Sequence, residues 1–272
     1  MIAGISSYTY TWSVGVPGSI PEDPMTARDL IDKAFAAGVK LVQIADNLPI
    51  ETMKTKELTS LREYAASKGV AIEMGGRGLT PAHTLKCLDV ARNLDSPVLR
   101  MVIDSDRFEP DLDTIIAIIR DLIPELKSRK IKLAIENHDR FKAKEFERII
   151  QAAGSDMVGI CLDSVNSMGA GEGFEAVSDI LIPYTFNLHI KDFNIFRASH
   201  KMGLIVEGRP AGRGMLNIPY LIERIEDTGL CHSAILELWT PPEVNIEDTI
   251  RKESEWADIS IKYIKSLLDL KR

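Results

Sequence analysis

Short apolar, β-rich runs recur eight times along the 272 residues, at 2–8, 39–45, 70–75, 97–103, 131–137, 157–163, 185–191 and 233–239. Longer stretches with 3.6-residue periodicity separate them, at 26–37, 51–67, 81–93, 112–128, 142–153, 218–228 and 245–268. In the first of these, Ala27, Leu30, Ile31, Ala34 and Phe35 fall on one face. The stretch after the sixth run, GAGEGFEAVSDILI, opens with glycines before its helical pattern starts. Gly38, Gly69, Gly154 and Gly229 each stand between a helical stretch and a strand, where a left-handed C′ residue closes a helix. Pro81 and Pro219 suit the first turn of a helix. Strands that alternate with helices pair in parallel through right-handed crossovers. Eight such units point to a closed (β/α)₈ barrel, with an open doubly wound sheet as runner-up. No G-x-G-x-x-G follows the first strand, which weakens the nucleotide-binding form of that alternative. GGRG at 75–78 is too short for a phosphate loop and reads as a turn.

A barrel of this kind uses roughly 250 residues as one domain. With no Pro/Gly/Ser linker or low-complexity run, residues 1–272 read as a single barrel domain. The chain is 45% hydrophobic with a mean hydropathy of -0.03, ordinary for a globular enzyme. The formal charge of -7 and pI near 5.4 oppose general nucleic-acid binding. Cys87, Cys161 and Cys231 are odd in number and include no CxxC pair, so neither a disulfide framework nor a thiolate zinc site is expected. MIAGISSYTYTW lacks the basic and apolar regions of a signal peptide, and no run reaches membrane-span length. The expectation is a cytoplasmic protein with no membrane partner.

The chemistry concentrates at strand ends. Glu136 closes KLAIE, Asp163 closes MVGICLD, His189 lies in FNLHIKD and Glu237 in SAILELW, one on each of the last four strands. In a parallel barrel, functional groups come from those ends and the loops beyond them. Three carboxylates and an imidazole form a mainly hard, oxygen-rich set. Such a set suits one divalent cation, Mn²⁺ or Mg²⁺ first, with Co²⁺ and Zn²⁺ as further options. Two-residue strand parity puts His138 with Glu136, Lys191 with His189 and Trp239 with Glu237 on common faces. Arg100 interrupts the apolar strand PVLRMVI, where a charge needs a partner or the barrel mouth. Arg100, Lys191 and His138 are candidate substrate contacts or supports for the ligands. Arg77 follows the third strand, and Gln43, Asp46 and Asn47 lie in and after the second. Tyr8, Tyr10 and Trp12 are candidates to wall a pocket together with Trp239. His83, His200 and His232 fall at a helix start, in a polar loop and at the opposite mouth, and are given no catalytic role.

IENH, LDSVN, LHIKD and ILELW resemble the strand-end motifs of the xylose isomerase-like TIM barrel superfamily, most specifically from Leu133 to Trp239. That group includes tagatose 3-epimerases, inosose isomerases and inosose dehydratases. The resemblance implies that Glu136, Asp163, His189 and Glu237 bind one metal ion, that Glu136 and Glu237 act as acid and base, and that the chain forms homodimers or homotetramers. Two positions depart from the family pattern. Where D-x-x-H is common after strand six, this chain has Asn166, which cannot shuttle a proton as histidine does. The glycine-flanked turn after strand seven holds Arg213 in place of an acid, which suggests an anionic substrate group.

The activity expected is isomerisation or epimerisation of a small sugar, inosose or keto-sugar acid through an enediolate whose charge a divalent cation stabilises. The alternative keeps the same enolate and ends in loss of water or carbon dioxide. Arg77, Arg100 and Arg213, which suit a sugar acid, and the missing histidine at 166 favour that lyase reading. An AP endonuclease is a third reading, but it would need more than the five histidines present.

Overall fold

A computed structural model describes residues 1–269. Its strands are β1 (Ile2–Ser6), β2 (Leu41–Ile44), β3 (Ala71–Arg77), β4 (Val98–Val102), β5 (Lys132–Glu136), β6 (Val158–Asp163), β7 (Thr185–Ile190), β8 (Asp192–Arg197), β9 (Leu204–Arg209) and β10 (Ser233–Leu236). The helices are α1 (Thr11–Val14), α2 (Ala27–Ala36), α3 (Thr55–Ser67), α4 (Pro81–Asn93), α5 (Leu112–Arg129), α6 (Ala143–Ala153), α7 (Phe174–Leu181), α8 (Ile218–Glu226) and α9 (Ile246–Asp269). Eight strands close in the order β1-β10-β7-β6-β5-β4-β3-β2, all parallel, and the helices surround them. This is a single (β/α)₈ TIM barrel, as the alternation predicts.

Local chemistry starts and stops the helices. Thr26 and Asp29 form a reciprocal capping box on α2, Asp111 accepts the Thr114 N–H on α5, and Pro81 opens α4. Gly38, Gly69, Gly154 and Gly229 all adopt φ between 62° and 66°, the left-handed region expected of them. On α2, Ala27, Leu30, Ile31 and Ala34 are buried as the periodicity requires. Phe35 instead is 55% exposed, its ring covered by the Lys68 ammonium at 4.8 Å.

Three details correct the sequence reading. The first strand ends at Ser6, because the Ser6 hydroxyl accepts the Tyr8 N–H and turns the chain into a 3₁₀ helix at Ser7–Tyr10. GGRG is no turn at its start: Gly75, Gly76 and Arg77 continue β3. The glycines serve packing there, since a Cβ at Gly75 would lie 3.2 Å from the Ala45 Cα and 3.5 Å from the Arg100 Cδ. The segment after β7 is an antiparallel hairpin of β8 and β9, which no periodicity announces.

Candidate active site

Four strand ends bring the predicted acids and imidazole together. Glu136 ends β5, Asp163 ends β6, His189 lies on β7 and Glu237 follows β10; each is 1% exposed or less. The His189 Nδ1 atom lies 3.3 Å from Glu237 Oε1, 3.5 Å from Glu136 Oε2 and 3.9 Å from Asp163 Oδ2. Among the described residues, Asp163 Oδ2, His189 Nδ1 and Glu237 Oε1 are three of the four buried side-chain polar atoms without a hydrogen-bond partner. Buried polar atoms are ordinarily paired, so three orphans facing one point mark a place for a further ligand. The donor chemistry, carboxylate oxygens and one imidazole nitrogen, is consistent with a divalent cation.

The surrounding hydrogen bonds hold each group in place. Asp163 Oδ1 accepts the N–H groups of Val165 and Asn166, both at 2.8 Å, which leaves Oδ2 turned inward. Asn137 pins the same strand end by accepting the Asp163 N–H at 2.7 Å and donating to the Asp163 carbonyl at 3.0 Å. Glu136 is gripped on both oxygens, by Arg100 Nε and by Asn166 Nδ2 at 2.8 Å. Lys191 Nζ stands 2.8 Å from Asp163 Oδ2 and 3.0 Å from Glu237 Oε2. Its contact with Asp163 is one of charge rather than of hydrogen-bond alignment, since that oxygen counts among the unpaired atoms. Burial works against ionising Asp163 and Glu237, but the basic neighbours Lys191 and His189 outweigh it and hold both carboxyls below their ordinary range. Burial likewise opposes the Lys191 ammonium, and Asp163 and Glu237 reverse that, so the net shift is upward and the amine stays charged.

Arg100 is 2% exposed and does not meet the cavity as an open substrate contact. Its guanidinium is spent on Glu136, on Asp46 Oδ1 at 3.0 Å and on the Gly76 carbonyl at 3.4 Å. Asp46 also accepts Arg77 Nε at 2.9 Å and the Tyr8 hydroxyl at 3.0 Å. Burial raises the Asp46 pKa, but the two guanidiniums more than offset this and bring it to about 2.

A cavity of about 790 Å³ opens above the cluster, lined among others by Tyr8, Trp12, His138, Asn166, Lys191 and Trp239. His138, Asn166, Lys191 and Trp239 therefore share one space, as strand parity predicts for His138, Lys191 and Trp239. Arg213 does not. It is exposed on the turn after the hairpin, and the neighbouring N–H groups of Gly212, Gly214 and Leu216 all point at the Asp192 carboxylate, at 2.9, 2.9 and 3.0 Å. The turn is built to clamp Asp192, which fixes the base of the hairpin and leaves Arg213 facing solvent. The hairpin itself supplies Val206 and Glu207 to the cavity wall. Sequence reasoning missed Glu73 and Asn187, which lie deeper in the barrel; the one available signal was a polar residue inside a buried strand, AIEM and TFNL.

Residues 31–260 match the family model described as Xylose isomerase-like TIM barrel. The chain is 30% identical over 264 residues to the 3-oxo-isoapionate decarboxylase of Pectobacterium atrosepticum, covering 97% of this chain and 95% of the relative. Among solved structures it is similar to the D-psicose 3-epimerase of Clostridium cellulolyticum H10 with D-tagatose. The TM-score is 0.72 at 15% identity, over 99% of this chain and 98% of that one. It is also similar to a xylose isomerase-like TIM barrel protein of Mycobacterium smegmatis in complex with magnesium, with a TM-score of 0.68 at 13% identity and 96% of each chain covered. At these identities the two structural likenesses are of fold.

Proposed function

The chain belongs to the xylose isomerase-like TIM barrel family, and on that premise we propose that it is a divalent-metal-dependent lyase that decarboxylates a 3-oxo sugar acid. Glu136, Asp163, His189 and Glu237 would hold the cation, with Mn²⁺ or Mg²⁺ as first choice. When bound, that cation supplies a Lewis acid that polarises the substrate ketone and stabilises developing negative charge.

The observation that carries the reading is Lys191. Its ammonium bridges two ligand carboxylates at the cavity wall, a fixed positive charge beside the place where a substrate carboxylate would approach. Asn166 flanks it, with Oδ1 3.4 Å from Nζ. In the reaction, the bond between the carboxyl carbon and its neighbour breaks, and the electron pair moves toward the ketone oxygen as carbon dioxide leaves. One proton then returns to the carbon. No base is needed, and this fits Glu136, both of whose oxygens are already engaged. His138 is placed to deliver the proton: its Nδ1 pairs with Asp139 Oδ1 at 2.6 Å while its ring lines the cavity.

Isomerisation or epimerisation stands as the second reading. It is favoured by the two glutamates, which come from different strands and approach His189 Nδ1 at 3.3 and 3.5 Å, so that two carboxylates are at hand for the acid and base roles. The experiment is incubation of Mn²⁺-loaded protein with a carboxyl-¹³C-labelled 3-oxo sugar acid in deuterated water. Release of labelled carbon dioxide with one deuteron in the product supports the lyase. Deuterium exchange with the label retained rejects it in favour of the isomerase. The same assay on Lys191→Met is expected to lose at least about 10²-fold in turnover, the scale of one positioned charge-stabilising group.

A further inference from the structure

Below the ligand cluster the barrel interior is polar. Gln43 on β2, Glu73 on β3, Cys161 on β6, Asn187 on β7 and Ser233 on β10 are all buried. Gln43 and Asn187 belong to strands that are not neighbours in the sheet, so their contact crosses the lumen. A barrel lumen is ordinarily filled by branched apolar side chains. A buried polar group left unpaired costs about 1–3 kcal/mol. This layer is fully paired, and it is joined to the ligand cluster above through His189.

The Gln43 amide nitrogen donates to Glu73 Oε2 and to Asn187 Oδ1, both at 3.1 Å. That leaves the Gln43 carbonyl oxygen for His189 Nε2, 2.7 Å away. A carbonyl oxygen can only accept, so Nε2 is protonated, and in the neutral imidazole that a cation requires the lone pair is then on Nδ1. Asn187 is oriented in turn: Oδ1 receives the Cys161 thiol at 3.1 Å, and Nδ2 donates to Glu73 Oε2 at 3.1 Å and to Ser233 Oγ at 2.6 Å. Burial pushes the Glu73 carboxyl upward, with Ser233, Gln43 and Asn187 only partly opposing it.

We propose that Gln43, locked by Glu73 and Asn187, is the positioning residue that fixes His189 as its Nε2–H tautomer and so aims the Nδ1 lone pair at the cation. This rests on the reading of His189 as a metal ligand. Groups that orient a metal-bound histidine typically contribute about 10- to 100-fold in metal affinity. Two measurements test it on the full chain. In the metal-free wild type, nitrogen-15 NMR of His189 is expected to show a protonated Nε2; a bare Nε2 overturns the proposal. Calorimetric titration with Mn²⁺ is expected to show binding about 10- to 100-fold weaker in Gln43→Leu. Gln43→Glu, which keeps an acceptor for Nε2 but loses the two bonds that lock it, is expected to fall between Gln43→Leu and the wild type. Wild-type affinity in Gln43→Leu, with binding abolished in His189→Ala, overturns the tautomer device and leaves the metal reading standing. Undiminished binding in His189→Ala instead overturns the metal reading and, with it, the purpose assigned to Gln43. If Gln43→Leu does not fold, the protonation of Nε2 in the wild type still decides.

Discussion

Glu253 on α9 is 1% exposed, and its carboxylate faces the N-terminus of the short helix α1. Oε1 accepts the Trp12 N–H at 2.8 Å, and Oε2 accepts the Ser13 N–H and hydroxyl at 3.0 and 2.7 Å. Burial outweighs these bonds and the nearby Lys33 charge, and raises the pKa from 4.5 to about 7; Tyr10 and Asp258 also lie close by. The sign follows from linkage. Below about pH 4.5 the group is neutral in folded and unfolded chains and costs nothing. As pH rises toward 7 the unfolded chain releases the proton first, so stability falls, and above about pH 7 the loss is complete. With one pKa unit equal to about 1.4 kcal/mol, the loss is about 1.4 kcal/mol at pH 5.5 and about 3.4 kcal/mol at pH 8.5. Glu253→Gln copies the neutral form at every pH, with a constant penalty of about 1 kcal/mol because its NH₂ meets one of the two backbone N–H groups. The stability gap between variant and wild type should therefore move by about 2 kcal/mol in the variant's favour from pH 5.5 to pH 8.5. For a chain of this size that is about 4 °C in Tm. Thermal unfolding of both proteins, free of added metal, at the two pH values measures it. A gap that stays within about 1 °C would refute the assignment of a high-pKa carboxyl to this position.

Arg100→Met leaves Glu136 and the Asp46 pair without their buried guanidinium and should lower stability by about 3–5 kcal/mol, about 6–10 °C in Tm; a fall under about 2 °C by calorimetry counts against it. Gly208→Ala would put a Cβ 1.9 Å from the Trp239 carbonyl oxygen, so the hairpin must shift beside the cavity. The expected result is a loss of up to about 10²-fold in kcat/KM with little change in Tm, seen by comparing kinetics with melting. Chelation should abolish activity, and re-addition of Mn²⁺ at about 100 times its Kd should both restore it and add about 2.7 kcal/mol to stability, read as a rise in Tm.

What the sequence made legible follows from how many faces of a segment are buried. Barrel strands are covered on both sides, so Leu41–Ile44 and Val98–Val102 show as apolar runs, broken only by Gln43 and Arg100. Glu136, Asp163, His189 and Glu237 stand out because each ends such a run. The same double burial hides the inner layer. Glu73 and Asn187 look like isolated polar residues, and nothing in one strand says whether such a residue faces helix or lumen, or what meets it from across the barrel. The hairpin is obscure for the opposite reason. Ile195, Phe196, Leu204 and Ile205 remain 38% to 64% exposed, so its strands carry no buried face to impose an alternating pattern. Arg213 misled because a charge on a loop has no sequence signature that separates solvent from substrate; its direction is set by the three N–H groups that close around Asp192.

The charge balance at the barrel mouth ties the fold to the choice of substrate. Four carboxylates, Asp46, Glu136, Asp163 and Glu237, face three fixed cations. Arg100 spans Glu136 and Asp46, Arg77 adds to Asp46, and Lys191 spans Asp163 and Glu237. With His189 as a neutral ligand, one negative charge is left uncompensated, and a divalent cation turns the balance to one positive charge. Charge imbalance is costly where dielectric screening is weak. A neutral sugar leaves that excess in place, whereas a sugar carboxylate cancels it. On the lyase reading proposed above, loss of carbon dioxide would move the negative charge onto the enolate without changing the total, so the site would stay balanced through the bond-breaking step. On the same reading, only protonation of the carbon would restore the excess positive charge, and with a neutral ketone as product the electrostatic hold on the ligand would be lost at the moment release is required.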